Sequence, residues 1–439
     1  MYPFTDYRSP ALHIAALLVL AVMLGGGGTA YAIFNLIVQL TALVLLAVHH
    51  DRVWHFVRHA PLGLRLLVGL SVILPLIQVV PLPPALWQSL PGRELVAETY
   101  MLAGLPAGQW MPVSVDVMRS FVAFCGTLAP AAVIAVGSTL RREELLPLCW
   151  VLPGAAIAAF LLGALQLSSA GAMGQIYEGR MEGNVLYATF ANRNSTGLFF
   201  VLTAILVAAL PLSANPQVLI LRIGAFVALA AGVVLTQSRS SMALLLLAAA
   251  FAGARLLALR WPGLKIGWLA GAGALIAVIL AVAVVTQSSG RMADSLDRFS
   301  DLSSDRPEMW EDGLYAAERY WPIGAGMGSF DEVFQIDESL EHVSPRRAGR
   351  AHNDYIELGI EAGLPGFAVL AGWLALIGWA VLRPGALAGE WRWMRAGAGL
   401  GLTCIAAQSV LDYPLRNQTL LCVAALLVVV LAYRERDVR

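Results

Sequence analysis

The sequence predicts an all-α polytopic membrane protein, with about twelve transmembrane helices and one long periplasmic segment that contains short helices. Three observations predict it. Hydrophobic residues fill 58% of the 439 positions and charged residues only 13%, against about 25% charge in a typical soluble domain. Apolar stretches of about 20 residues, the length that crosses about 30 Å of hydrocarbon, recur along the chain. Formal net charge is zero, so no global field draws in nucleic acid; positive charge is instead concentrated in alternate connections.

In lipid each span must satisfy its own backbone hydrogen bonds, so each is expected as a helix. The expected limits are 11–28, 30–48, 62–81, 118–138, 145–167, 191–211, 217–235, 241–258, 266–286, 364–382, 396–412 and 416–433. Ala30-Tyr31-Ala32 imitates a signal cleavage site, but the stretch before it reads as the first span. With the N-terminus inside, the inner connections hold Arg52, Arg58, Arg141, Arg142, Arg222 and Arg255, among others. Positive charge stays on the cytoplasmic side, and an even number of spans then leaves both termini in the cytoplasm.

Three regions follow: 1–286 with helices one to nine, 287–363 as an outer segment too polar to cross, and 364–439 with helices ten to twelve and a short cytoplasmic tail. Within the outer segment Arg306–Tyr320 reads as a helix, since Met309, Trp310, Leu314 and Ala317 fall at helical spacing. Pro322 stops it. The Gly324-Ala325-Gly326-Met327-Gly328-Ser329 stretch is no dinucleotide fingerprint, because no strand precedes it. Its glycines suit a tight turn or a close backbone approach. A second short helix is expected near Asn353–Glu361.

Cys125, Cys149, Cys404 and Cys422 lie inside apolar spans at no metal-like spacing and read as small buried residues. His55 and His59 are four apart, a helical metal pair in form, but they lack a third ligand. Neither a metal nor a cofactor is expected. Trp87, Trp110, Trp321 and Trp391 read as anchors at the membrane interface.

The informative anomaly is arginine on the outer side. Arg180, Arg193, Arg239 and Arg416 stand at outer ends of spans, and Arg291, Arg306, Arg319 and Arg350 in the long segment. A guanidinium near lipid is costly unless it is paired or reaches water. One ligand would satisfy several at once: a lipid pyrophosphate, whose oxygens match the arginine fork. Snorkelling, or pairing with nearby Asp and Glu, is the blander account, but Arg193 and Arg239 have no acidic neighbour in sequence. His352, within Arg350-Ala351-His352-Asn353-Asp354-Tyr355, is either a structural loop residue or an imidazole placed to take a proton from a hydroxyl. No acidic pair stands in the first outer connection, where metal-dependent lipid-linked sugar transferases carry one.

These residues resemble the O-antigen ligase and polymerase superfamily. The similarity is carried by Ser114-Val115-Asp116, Phe190-Ala191-Asn192-Arg193-Asn194 and Thr236-Gln237-Ser238-Arg239-Ser240-Ser241. It continues through Arg306 before Met309-Trp310, the glycine-rich stretch, and His352-Asn353-Asp354-Tyr355-Ile356-Glu357 leading to Glu361-Ala362-Gly363-Leu364-Pro365-Gly366. The resemblance implies a metal-independent, inverting glycosyltransferase of the bacterial inner membrane. It would use undecaprenyl-pyrophosphate-linked oligosaccharide on the periplasmic side, in lipopolysaccharide or exopolysaccharide biosynthesis. By motif, Arg239 and Arg306 would bind pyrophosphate and His352 would activate or position the acceptor hydroxyl. Arg193 and Arg291 are added to the pyrophosphate set by location. Arg180, Arg350, Asn353, Tyr355 and Arg416 are candidate donor or acceptor contacts.

The acceptor is either another lipid-linked repeat, as in a polysaccharide polymerase, or the core sugar of lipid A, as in a ligase. Many ligases carry a second His two positions before the His-Asn pair; here Arg350 stands there. With Arg346 and Arg347 it tilts the reading toward a polymerase. A reading of another class, a lipid-linked glycan transporter or flippase, also fits about twelve spans. It would call for internal repeats and interrupted helices with polar residues at mid-membrane, and neither is evident.

Overall fold

The structure, a computed structural model, describes residues 8–28, 31–106, 108–177, 183–213, 215–260, 305–341, 348–383 and 389–433. Helices dominate. The longer helices are α1 (Pro10–Leu24), α2 (Ala32–Val48), α4 (Leu62–Gln78), α7 (Val117–Gly137), α8 (Arg142–Ser168), α9 (Arg193–Ala209), α10 (Pro216–Leu235), α11 (Arg239–Arg260), α14 (Asp354–Leu382), α15 (Trp391–Gln408) and α16 (Gln418–Ala432). Each corresponds to an expected span. Shorter helices are α3 (His50–His59), α5 (Pro84–Trp87), α6 (Glu94–Leu102), α12 (Asp305–Tyr320) and α13 (Phe330–Asp337). A two-residue antiparallel pair, β1 (Pro81–Leu82) and β2 (Met111–Pro112), ties the 79–116 connection.

Among the described residues six helices are long and apolar enough to cross a membrane, or seven if α2 and α3, bent by 78°, count as one span. The expected twelve is therefore met only in part. α4, α9 and α16 are apolar but shorter. The ninth expected span, 266–286, lies outside the described residues.

Asparagine and aspartate start many of these helices. Asn192 accepts from Asn194 N at 2.8 Å, Asn353 from Tyr355 N at 2.9 Å, Asn417 from Leu420 N at 3.1 Å and Asp116 from Arg119 N at 2.9 Å. Their short polar side chains satisfy amides that the first turn leaves without partners. Contacts bring the starts of α9, α11, α14 and α16 to one end: Ser238 Oγ donates to Asn194 Oδ1, Asn192 and His352 both reach Asp412, and Ala191 N and Asn417 Nδ2 both donate to Gly26 O. At the opposite end Arg222 donates to Val207 O and Leu210 O at 2.8 Å and to Pro211 O at 2.9 Å. Arg255 donates to Ala208 O and pairs with Glu390. Arg222 and Arg255, expected on the inner side, therefore cap the carboxyl end of α9, where the helix dipole favours positive charge.

One core fills the helical bundle, centred on α9, whose Leu198, Phe199, Phe200 and Val201 are fully buried. A second, smaller core of Ala316, Tyr320, Phe330, Phe334, Ala351 and Ile360 holds α12 and α13 against the start of α14. α12 matches the expected helix at Arg306–Tyr320. α13 was not anticipated, because eight residues are too few for a clear period. The second short helix expected near Asn353–Glu361 continues directly into the tenth span as α14, with a break at Gly363 (φ 51°).

Trp87 and Trp391 correct the interface reading: both are buried, and Trp87 Nε1 donates to Gln109 O at 2.9 Å. Trp110 and Trp321 are exposed. The glycine-rich stretch is a tight turn. Gly324, Gly326 and Gly328 have φ of 89°, 111° and 85°, a region that costs a side chain about 1–3 kcal/mol. Its amides reach Ile360 O at 2.7 Å, Glu361 O at 2.9 Å and Gln78 Oε1 at 2.8 Å, knitting α4 to α14. A Cβ on Gly324 would lie 2.6 Å from the backbone of Glu361 and Ala362. Gly324→Ala is expected to lower the thermal unfolding midpoint in detergent, and an unchanged midpoint would contradict this role for the turn.

Candidate active site

The chain places His352 where the N-termini of several helices meet. Its own backbone is left-handed, with φ 52°, a strained state that a non-glycine residue keeps only when its surroundings hold it. Asn353 follows as the cap of α14, so the imidazole hangs just outside the first turn of that helix. Nδ1 lies 3.3 Å from Asp412 Oδ1, and the ring stands 5.0 Å from that of Tyr413. The His352 side chain keeps 33% exposure while Asp412 has 1%.

Asp412 is held from its other side. Asn192 Nδ2 donates to Asp412 Oδ1 at 3.3 Å and Oδ2 at 3.1 Å. The same asparagine caps α9, so Arg193, the first residue of that helix, stands beside the carboxylate pair's support. Burial, reinforced by Asp412, pushes the Tyr413 phenol up to about 12, which keeps it neutral. Asp412 escaped the sequence reading, although an ionisable residue at the very end of an expected span, 396–412, is a functional signal in its own right.

A second helix N-terminus adjoins α9. Ser238 Oγ donates to Asn194 Oδ1 at 2.9 Å, and Ser240 Oγ accepts from Gln408 Nε2 at 2.9 Å. Arg239 opens α11 between these two contacts and is exposed. Two helices thus begin side by side, each with an arginine at its first position. Helix N-termini attract anions through free amides and the dipole, and the arginines add full charges. Arg193 makes no ion pair among the described residues. Gln237, just ahead of this corner, is also left-handed (φ 53°).

Other expected contacts are placed differently. Arg350 Nη1 pairs with Glu357 Oε2 at 3.0 Å, and Glu357 Oε1 accepts from Ala351 N at 2.9 Å. Arg416 is 13% exposed and faces Glu361 at 2.6 Å, Glu357 at 3.3 Å and Asp354 at 3.6 Å. Asp354, Glu357 and Glu361 form one acidic stripe at helical spacing on α14. Arg350 and Arg416 therefore neutralise that stripe and fix the His352 loop. Asn353 is buried as a cap, and Tyr355 Oη donates to Ala406 O at 2.8 Å. Arg119 and Arg319 likewise pair locally, with Asp331 and Glu332 and with Asp337. Arg306 lies in the first turn of α12, one turn ahead of Trp310, whose Nε1 donates to Ala351 O at 2.8 Å. Arg180 and Arg291 lie outside the described residues. Among the described residues no group of three His, Cys, Asp or Glu could hold a metal ion. His55 and His59 stack on each other with ring centroids 4.4 Å apart.

Fold and site together define a class: a helical membrane protein with an imidazole–carboxylate pair beside two arginine-headed helix N-termini. Residues 224–371 match the family model described as O-antigen ligase, which supports the O-antigen ligase and polymerase superfamily for this chain. The match includes Arg239, Arg306 and His352 but not Arg193, Asp412 or Arg416. No curated protein and no solved structure matches the chain.

Proposed function

We propose that the protein is a metal-independent, inverting glycosyltransferase that moves a glycan from undecaprenyl pyrophosphate to an acceptor hydroxyl. The observation that carries the proposal is the pairing of His352 with Asp412 at the foot of α9, next to Arg193 and Arg239. A neutral imidazole accepts the acceptor's proton while that oxygen bonds to the anomeric carbon. The bond from that carbon to the pyrophosphate breaks, and the electron pair leaves with the lipid diphosphate. Asp412 orients the ring and stabilises the imidazolium. Arg193, Arg239 and Arg306, with the amides at the two helix starts, hold the departing charge. Arg291 and Arg180 are proposed for the same set.

The arginine-rich inner ends favour placing this site on the periplasmic face of a bacterial inner membrane, with both termini in the cytoplasm. The described helices of 287–363 then pack on the start of α14 beside the His352 loop, and 364–439 supplies Asp412. Arg350 stands where many ligases carry a second His, whatever its pairing with Glu357, so the acceptor we favour is another lipid-linked repeat, as in a polysaccharide polymerase, with lipid A-core as the alternative.

Purified protein supplied with lipid-linked oligosaccharide tests it. Polymer from lipid-linked repeats alone identifies a polymerase, and product that requires lipid A-core identifies a ligase. If neither acceptor gives product or releases lipid pyrophosphate, the proposal fails. Arg239→Ala and Arg239→Lys are both expected to weaken donor binding by about tenfold or more, because lysine cannot form the two-point contact. Full binding by the Lys variant would rule out fork recognition.

A further inference from the structure

Asp412 is a buried acid that pairs with no lysine or arginine among the described residues, and its side chain is 1% exposed. A buried carboxylate short of partners is costly, so hydrogen bonds must hold it. Among the described residues two side chains do so. The imidazole of His352 lies at 3.3 Å, and Asn192 Nδ2 donates to Oδ1 at 3.3 Å and to Oδ2 at 3.1 Å. Other buried acids at this end are served differently: Asp354 by Ser409 Oγ, Leu415 N and Arg416, and Glu361 by Arg416.

The second partner of Asn192 fixes which end of its amide faces Asp412. Its oxygen accepts from Asn194 N at 2.8 Å, which leaves the NH2 group for the carboxylate. The backbone is pinned as well. Asn192 O accepts from Thr196 N and from Thr196 Oγ1, both at 3.1 Å, and Ala191 N donates to Gly26 O at 3.1 Å. The same turn reaches α11: Asn194 Oδ1 accepts from Ser238 Oγ at 2.9 Å and Asn194 O from Ser241 Oγ at 3.3 Å. One turn therefore meets the carboxylate behind His352 on one side and the start of α11 on the other.

We propose that Asn192 is a positioning residue for the transfer reaction. It holds the Asp412 carboxylate, and through it the His352 ring, in register with the first turns of α9 and α11. This rests on the transfer reading given above. Asn192 acts through Asp412 and not by touching substrate. A helix cap alone needs only the side-chain oxygen, which serine or aspartate supplies equally well. The NH2 group is what distinguishes asparagine from those caps, and here it is given to both carboxylate oxygens.

Asn192→Ser in the full-length protein keeps the cap of α9 and removes the NH2 group. Turnover is expected to fall about tenfold or more, the loss that goes with one hydrogen bond to a charged group, while donor binding stays within about threefold of wild type. In an Asp412→Asn background the same substitution should cost little more, because its target is already altered; losses that multiply would mean that Asn192 does not act through Asp412. Asn192→Asp, equal in size and as a cap, presents an acceptor to Asp412 and should lose turnover likewise at about pH 8. Wild-type turnover in either variant would overturn the inference. A second readout needs no transfer. Diethyl pyrocarbonate modifies only the neutral imidazole, so its rate at His352 between about pH 5 and 8, followed on the peptide by mass spectrometry, reports protonation of the ring. The groups that face the ring are Asp412, Tyr413 and the pair Arg350 and Glu357. Without the Asn192 donor more of the Asp412 charge falls on the imidazolium, so in Asn192→Ser the half-modification point should rise by about half a pH unit or more. An unmoved profile would overturn the inference whether or not the protein transfers glycan. A wild type that transfers nothing would sink the transfer reading alone and leave this profile to decide the coupling.

Discussion

His352→Ala is expected to abolish glycan transfer while leaving donor binding within about threefold of wild type. General-base help is worth about 10²–10⁴-fold in rate, and the imidazole lies beside the proposed diphosphate cradle rather than in it. Turnover and binding of lipid-linked donor, measured separately on purified protein, check this. Near-normal turnover would remove the base from the mechanism. Asp412→Asn belongs to the same experiment. It preserves the shape of the contact at 3.3 Å but supplies no charge to stabilise the imidazolium, so turnover should fall with little change in donor affinity. If instead affinity falls and turnover holds, Asp412 supports the binding cradle and not the ring.

Arg416→Met is expected to be the most destabilising single change at this end of the bundle. It strips the counter-charge from Glu357 and Glu361, both with 0% side-chain exposure, and from Asp354 at 5%. Breaking a buried ion pair by removing one member costs about 3–5 kcal/mol, because the abandoned charge stays buried. Arg350 still meets Glu357, but Glu361 would have no cation left among the described residues. Thermal unfolding in detergent should show the loss. Adding Glu361→Gln to Arg416→Met should recover part of it, since the uncompensated carboxylate is gone. A stable Arg416→Met protein with weakened donor binding would return this arginine to the ligand-binding set.

These two outcomes separate the arginines at the His352 end of the bundle into two populations. Arg119, Arg319, Arg350 and Arg416 meet carboxylates of the chain itself. Arg193 and Arg239 head helices whose starts abut. The first group builds the platform for the His352 loop. The second is the group proposed above to hold the diphosphate.

The sequence alone determined the helical class, the positions of the long apolar helices and the crowd of arginines at one end, because hydropathy and charge are local properties of a stretch of chain. It also marked His352, through its motif, and the glycine turn, through residues that tolerate left-handed backbone. It left unmarked the partner of that histidine, since Asp412 lies 60 positions away and joins it only when α14 and α15 pack. Nor could it sort the arginines. Whether a guanidinium is neutralised depends on which helix face meets it, and three acids at helical spacing on α14 reach Arg416 only across the fold. Pairing across helices is a property of the packed bundle, so tertiary structure alone decided which arginines neutralise the chain's own buried carboxylates.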